Sequence, residues 1–385
     1  MKTRVAVIRC EDYEYSRVRE AVHRGITLLG GVSAFARAGE KILLKPNLLA
    51  GEVPDRAVTV HPSVFKATAE VFQQKGIRLC YGDSPGIGRP EKVAAKAGIK
   101  AAADEMGIPM ADFQTGVKIS FADALMATEF KIARGVMESD GLVSISKMKT
   151  HGLTRITGAV KNQFGCIPGF AKAEYHVKMA DIYDFSAVLA DITRYLNPRL
   201  YIMDGIVAME GNGPRGGEPR KMKVLLFSTD PLALDAIFCR LIDLNPEFVP
   251  FIKVGREAGL GCDRFEDIEI KGDAVEPMIA RDFKVSRQPP TRYITSRVLP
   301  GFLKDLLSPR PVIDYDRCSR CGQCIRQCPV NPGAVKWDND HTTNHRQPIY
   351  NYRLCIRCYC CQEICPEQAI SIKTPWLGNF LYRLK

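Results

Sequence analysis

Eight cysteines near the C-terminus carry the most specific chemistry in this 385-residue chain. Cys318, Cys321, Cys324 and Cys328 run into Pro329, and Cys355, Cys358, Cys361 and Cys365 run into Pro366. Both runs read C-x2-C-x2-C-x3-C-P. Three thiolates at that spacing let one loop grip three corners of an iron–sulfur cube, while the fourth, set by the proline, points to a partner cube. The spacing therefore predicts two [4Fe–4S] clusters. One takes Cys318, Cys321, Cys324 and Cys365; the other takes Cys355, Cys358, Cys361 and Cys328. Cys360 falls off the spacing and is read as a packed thiol beside the ligands. A zinc site would use two C-x2-C pairs across a longer loop, with no role for a proline. Disulfides belong mostly to small secreted chains.

The two runs also repeat their surroundings. Val312-Ile-Asp-Tyr-Asp-Arg317 precedes the first and Ile349-Tyr-Asn-Tyr-Arg-Leu354 the second, while Ala334-Val-Lys336 and Ala369-Ile-Ser371 follow them. Each half predicts strand, cluster loop, short helix, strand. This resembles an α+β dicluster ferredoxin-like module, whose task is to carry electrons.

Electrons need a destination, and the rest of the chain supplies candidates. Residues 1–285 alternate short apolar runs with helical patterns, which predicts an α/β fold: a layered, mostly parallel sheet domain. Expected strands are Val5–Arg9, Lys41–Lys45, Arg78–Tyr81, Leu142–Ser146, Leu200–Asp204 and Lys223–Ser228. Expected helices are Tyr15–Leu29, Ser63–Lys75, Glu91–Met106, Ala180–Leu196 and Pro231–Ile242. In such sheets ligands bind at the carboxyl ends of strands. The residues found there are Lys45 and Asn47, Asp83 and Ser84, Lys147, Lys149 and His151, then Lys161 and Asn162, and finally Glu210 and Asn212. Lys149, His151 and Lys161 are expected to neutralise substrate charge. His151 is the candidate acid, because an imidazole titrates near neutrality, with Asp83 or Glu210 to orient it. Plainer readings stand beside these: Asp83 and Asp230 as helix caps, Lys149 as a solvated strand end, His176 on a helix surface, Cys166 as a packed thiol. No G-x-G-x-x-G fingerprint of a flavin or nicotinamide site opens a strand–helix unit, which leaves any further cofactor unassigned.

Composition bounds the rest. The formal net charge is +11, with 46% apolar and 25% charged residues. That balance suits an anionic small-molecule substrate and an acidic ferredoxin- or flavodoxin-like donor as redox partner, with a merely solvated basic surface as the plainer reading. Scattered Lys and Arg without a recognition motif argue against nucleic acid. No run of 18 apolar residues is present, and Val5–Ile8 reads as a strand and not a leader. A cytoplasmic location is expected, with thiols reserved for metal. Residues 286–311, with Gln288-Pro-Pro290 and Ser308-Pro-Arg-Pro311, read as a linker holding one amphipathic helix. Residues 312–374 form the cluster module. The aromatic, basic tail 375–385 is expected to pack on the main domain, with peripheral membrane contact as the alternative.

Further motifs carry a family likeness. Lys45-Pro-Asn47, Gly82-Asp-Ser-Pro-Gly86, Lys149-Thr-His151, Gly158-Ala-Val-Lys161-Asn162 with Phe164-Gly165, Glu210-Gly-Asn-Gly-Pro214 and Ser228-Thr-Asp-Pro-Leu-Ala-Leu-Asp235 resemble domain of unknown function family 362. A fainter likeness is to the nickel-dependent lactate racemase superfamily. His151, Lys161 and His176, with Pro168-Gly169 between the last two, fall at intervals similar to the His, Lys and His that line its cleft. There the Lys anchors a nickel pincer cofactor; only the pocket's position is carried over. The expected function is an iron–sulfur reductase of an activated double bond or ring. The alternatives are a non-catalytic electron carrier or metallocofactor-assembly protein, and an isomerase related to the racemase.

Overall fold

The computed structural model describes residues 2–169, 171–179, 181–290, 307–338 and 346–376. Its strands in chain order are β1 (Thr3–Arg9), β2 (Lys41–Pro46), β3 (Arg78–Tyr81), β4 (Gly116–Ser120), β5 (Glu129–Ala133), β6 (Gly141–His151), β7 (Arg155–Thr157), β8 (Leu200–Glu210), β9 (Glu218–Ser228) and β10 (Ile268–Gly272). Eight of these form one sheet in the order β10-β1-β9-β8-β6-β2-β3, with β7 paired to β6, while β4 and β5 pair separately. Strands β8, β6, β2 and β3 run parallel, as do β1 and β10. Strand β9 alone among the long strands is antiparallel to both neighbours.

Side chains alternate across each strand, so the apolar runs feed two cores. Val5, Val7, Tyr201, Met203, Val224 and Leu226 pack with the helices Ile182–Leu196, Pro231–Leu241 and Pro250–Glu257. Ala6, Ile8, Leu200, Ile202, Leu225 and Phe227 face the helices Tyr15–Leu28, Pro62–Gln73 and Ile99–Glu105. Burial on both faces explains why these strands read as nearly unbroken Val, Ile and Leu. Gly25 lets the first helix sit on β9, since a β-carbon there would stand 2.3 Å from the Phe227 ring.

Two strands run further than the sequence indicates. β6 continues through Lys147 to His151 because β7 supplies partners, with Lys149 opposite Thr157 and His151 opposite Arg155. β8 continues to Glu210 because β9 accompanies it to Glu218. Lys147, Lys149, His151 and Glu210 therefore lie on rigid strand extensions, not on loops. The expected Glu91–Met106 helix is two, Pro90–Lys96 and Ile99–Glu105, broken at Gly98 with φ 74°. Asp230 caps the helix Pro231–Leu241, accepting from the Leu232 and Ala233 amides.

The C-terminal module contains β11 (Arg310–Ile313), β12 (Val335–Trp337), β13 (Pro348–Tyr350) and β14 (Ile370–Lys373). β11 pairs with β14 and β12 with β13, both antiparallel. Short helices Gln323–Arg326 and Cys360–Ile364 complete the two halves. The linker helix expected within 286–311 falls largely, and the tail beyond Trp376 entirely, outside the described residues. No helix among the described residues is long and apolar enough to cross a membrane.

Candidate functional site

The duplication seen in the cysteine runs extends to the backbone. Arg320 and Arg357, the residues before the second cysteine of each run, have φ 57° and 61°; Gly322 and Tyr359, just after it, have φ 69° and 61°. A chain that turns left-handed twice in three residues wraps around a centre. Cys318, Cys321, Cys324 and Cys365 line one small cavity of about 20 Å³ together with Ile313, and no other cysteine borders it. The crossed ligand set expected from the spacing thus gathers around one void. Among the described residues no three metal-ligating side chains converge as a lone ion requires; the four thiols ring a space instead. Cys328, Cys358 and Cys361 each lie within electrostatic reach of Cys355. The Ala334 amide donates to Cys328 Sγ and the Ala369 amide to Cys365 Sγ, both at 3.3 Å, and Tyr350 Oη donates to Cys361 Sγ at 3.2 Å. Such donors stabilise the thiolates a cluster needs. The residues present fit iron–sulfur ligation.

The module docks on the strand ends of the sheet domain through polar contacts. Gln362 Nε2 donates to the Asn212 carbonyl, Asn212 Oδ1 and the Gly213 carbonyl at 2.9–3.0 Å. Asn212 Nδ2 returns a bond to the Ile370 carbonyl at 3.0 Å, and Arg215 bridges Glu52 and the Ile364 carbonyl. Asn212, expected to meet substrate, is a docking residue. Glu210, expected beside it, accepts from the Lys284 amide at 3.0 Å.

Docking closes a cavity of about 300 Å³ between the two domains. The sheet domain contributes Asn47, Asp83, Ser84, Lys161, Asn162, Lys172 and His176; the module contributes Gln327, Cys360, Glu363 and Ile364. Glu210 is not among its walls. Gln327 precedes Cys328, and Cys360 precedes Cys361. The cavity therefore opens against the loops that hold the second cysteine set.

Several expected residues satisfy one another. Buried Lys45 pairs with Asp83 at 2.9 Å and donates to Asn162 Oδ1 at 3.0 Å, while Asp83 also accepts from the Leu48 amide at 2.8 Å. Asp83 thus does not orient His151. Lys147 pairs with Asp204 at 2.8 Å and donates to Tyr13 Oη at 2.8 Å, in a pocket where Tyr13 stacks on His61 at 3.7 Å. Lys149, far from being a solvated strand end, is buried and donates to Asn47 Oδ1 and the Val58 carbonyl. Burial without a carboxylate partner drives its pKa well below the usual lysine value. Ser84 Oγ accepts from the Gly169 amide, and the Ser84 and Pro85 carbonyls hold Lys172. Burial lowers the Lys172 pKa to about 8. Cys166 is a packed thiol, raised by burial to about 12.

His151 is aimed at the module. Its Nδ1 accepts from the Leu153 and Thr154 amides at 3.0 and 3.3 Å, which leaves the proton on Nε2. Nε2 stands 3.0 Å from Glu363 Oε1. Burial, reinforced by the Lys161 charge, lowers the imidazole pKa to about 4, so it is neutral at pH 7. His176 is buried against Phe185 at 4.7 Å, not on a helix surface, and is likewise lowered to about 4 by burial.

Lys161 is half-buried on the cavity wall and owes its position to a residue the sequence reading passed over. It sits on the short helix Ala159–Asn162, whose first amides, Ala159 and Val160, donate to Asp235 at 2.7 and 3.1 Å. Gly158 makes room for that carboxylate, since a β-carbon would stand 1.9 Å from Asp235 Oδ1. Burial raises Asp235 to about 7. Glu363, Gln362, Lys172 and Gln327 were missed as well. Within the cluster motif Gln327, Gln362 and Glu363 are spacer positions, and only the docked domains reveal their roles.

Comparison with known proteins agrees with this division. The model of a domain of unknown function, DUF362, matches residues 42–240, and that of a 4Fe-4S dicluster domain matches 310–366. The chain is 33% identical over 257 residues to the "Thylakoid-associated protein sll1697" of Synechocystis sp., covering 66% of this chain and 79% of that protein. Among solved structures, a Thermotoga maritima protein aligns at 12% identity and TM-score 0.37, over 66% of this chain and 60% of its own. The lactate racemase apoprotein from Thermoanaerobacterium thermosaccharolyticum aligns at 12% and 0.38, over 60% and 55%. This chain spans less than two thirds of either structure, and overlaps of that size carry no argument about activity. The DUF362 match spans more than half of the chain, and the chain belongs to that family, joined to a 4Fe-4S dicluster domain that implies iron–sulfur electron transfer.

Proposed function

We propose that this protein is an iron–sulfur reductase acting on a small anionic organic molecule held between its two domains. Two [4Fe–4S] clusters are assigned, one to Cys318, Cys321, Cys324 and Cys365 and the other to Cys328, Cys355, Cys358 and Cys361. The observation that carries the reading is the shared wall of one cavity: Lys161 and Lys172 face it from the sheet domain, Gln327 and Cys360 from the cluster loops. When bound, the clusters supply electrons one at a time at potentials set by their surroundings. Saturating one double bond takes two electrons, drawn from an external ferredoxin- or flavodoxin-like donor, and two protons.

The chain's own residues handle charge and protons. Lys161, with no hydrogen bond or ion pair among the described residues, neutralises the ligand, and its pKa, lowered by burial, makes its ammonium a better acid than a surface lysine. Lys172, near 8, is the second proton source on the same cavity. His151, neutral and aimed at Glu363, acts as a positioning residue: it holds the carboxylate that faces Lys161. Its expected part as direct acid passes to the lysines.

The test uses full-length protein purified without oxygen and reduced by a low-potential donor. Carboxylated or phosphorylated compounds with an activated double bond or ring are added, and reoxidation is followed in the cluster absorbance. Turnover that disappears in Lys161→Ala, with iron content and cluster spectrum intact, is expected. Reoxidation by no such compound, or at an unchanged rate in Lys161→Ala, would remove the reductase assignment.

A further inference from the structure

The lysines at the strand ends are not equally compensated. Lys45 and Lys147 each have a carboxylate partner, Asp83 and Asp204. Lys149 is 1% exposed, yet meets only neutral oxygens, Asn47 Oδ1 at 2.8 Å and the Val58 carbonyl at 2.6 Å. Lys172 likewise meets only carbonyls, those of Ser84 and Pro85. Lys161 makes no hydrogen bond or ion pair among the described residues, although Glu363 lies within electrostatic reach. Asp83, although paired with Lys45, also lies within electrostatic reach of Lys149 and Lys172, so with Lys45 included four lysines face two carboxylates, Asp83 and Glu363. A buried ammonium without a counter-charge is costly; Lys149 is buried, Lys161 and Lys172 are half-buried, and the two positive charges in excess point to a ligand that brings two negative charges.

The cavities have shapes to match. Behind the large one lies a second, of about 40 Å³, lined by Asn47, Lys149, His151, Thr157, Lys161 and Asn162 among others. That is roughly the room of three waters. It admits an oxyanion head but no ring. The two cavities share Asn47, Leu49, Lys161 and Asn162 as walls. The larger one, about 300 Å³ and walled in part by Ile87, Phe164 and Ile364, falls at the lower end of the size range of small-ligand pockets.

We infer that the small chamber is a head-group site, and that its ligand is an organic dianion: an oxyanion lies between Lys149 and Lys161, and the apolar body extends into the larger cavity. The inference rests on the proposed function and names its substrate class. Two sources share that chemistry. A phosphate monoester places both charges in the small chamber; a dicarboxylate places one there and the other at Lys172. A consequence follows from burial, which lowers Lys149 and Lys161 while no anion is present. An anion bound between them raises both again, so any proton exchanged on binding is taken up from the buffer.

Calorimetric titration of the full-length, cluster-loaded protein with inorganic phosphate, succinate and acetate at fixed ionic strength tests this. At least one dianion should bind about tenfold or more tightly than acetate. Phosphate as the tighter one identifies the monoester, succinate the dicarboxylate. Lys149→Gln keeps donors for Asn47 and Val58 but removes the charge, and should weaken dianion binding at least about tenfold; Lys161→Gln should do the same. The heat should differ between buffers of different ionisation enthalpy in the sense of proton uptake. Acetate binding as tightly as both dianions, or both variants binding like the parent, overturns the inference. Where Lys149→Gln does not fold, Lys161→Gln and the proton count decide the outcome. No electron transfer is measured, so a failed reductase with intact dianion preference leaves the head-group site standing, and the reverse result leaves the reductase.

Discussion

In the sheet domain, mostly aliphatic side chains fill both faces of the eight-stranded sheet, and neither core contains a cysteine of the two C-terminal runs. In the cluster module the buried core is Ile313, Cys324, Val335, Cys361 and Ile370, with Cys318, Cys328 and Cys365 packed against it. Two of those five core residues are thiols of the two proposed ligand sets. A core that small does not hold a module of four short strands by burial alone. The sheet domain is held by hydrophobic area, the module by its metal bonds and by docking, so the two regions should respond to different perturbations.

The largest expected effect is iron removal. Chelation under reducing conditions, or Cys324→Ser, should strip amide protection from residues 310–338 and 346–373 while the sheet domain keeps its own, because metal binding there is folding energy. Hydrogen exchange resolves the two regions. One common transition for both would erase the contrast.

Acid should act on the other region. His61, His151 and His176 are each lowered by burial to about 4, so between pH 6.5 and 4 the unfolded chain binds protons that the native chain does not, and stability falls as pH falls. Asp235, raised to about 7, works in the opposite sense, binding its proton first in the native state as pH falls. Three groups against one leave a net loss on the order of 5 kcal/mol across that window. Denaturant unfolding at a series of pH values should show it in the sheet-domain transition; a flat profile would mean those histidines ionise in place.

Gly158→Ala is expected to destabilise the sheet domain by roughly 2–4 kcal/mol, since the new methyl displaces Asp235 and leaves the Ala159 and Val160 amides without an acceptor. The cluster spectrum should not change, and ligand affinity should drop with the misplaced Lys161. Smallest is Gln362→Ala, which removes three docking bonds from one amide and should loosen the interface by about 1–2 kcal/mol. Small-angle scattering would register the opened molecule. An unchanged profile would place the docking energy elsewhere, at Arg215 for example.

Legibility in the sequence followed the range of each interaction. The cysteine spacing, the duplicated flanks and the apolar runs of β1, β2 and β3 are local signals, and all three led to the right elements. The choice of polar residues at strand ends named Lys45, Lys147, Lys149 and Lys161 alike, and could not tell which of them would have a carboxylate partner. Their carboxylates, Asp83 and Asp204, arrive from other strands. His151 read as an acid because an isolated imidazole is one. Its two amide donors and its burial, both products of the fold, keep it neutral.

What the chain determined unaided was where eight thiols fall along it and which segments must hide apolar faces, because both are matters of spacing within a few residues. Which lysines keep an uncompensated charge, and that Glu363 and Cys360 complete their cavity, depended on seating the module against the ends of β6 and β8. Coulomb forces and desolvation act through space, and here the groups that feel them are drawn from positions as far apart in the chain as Asn47 and Glu363.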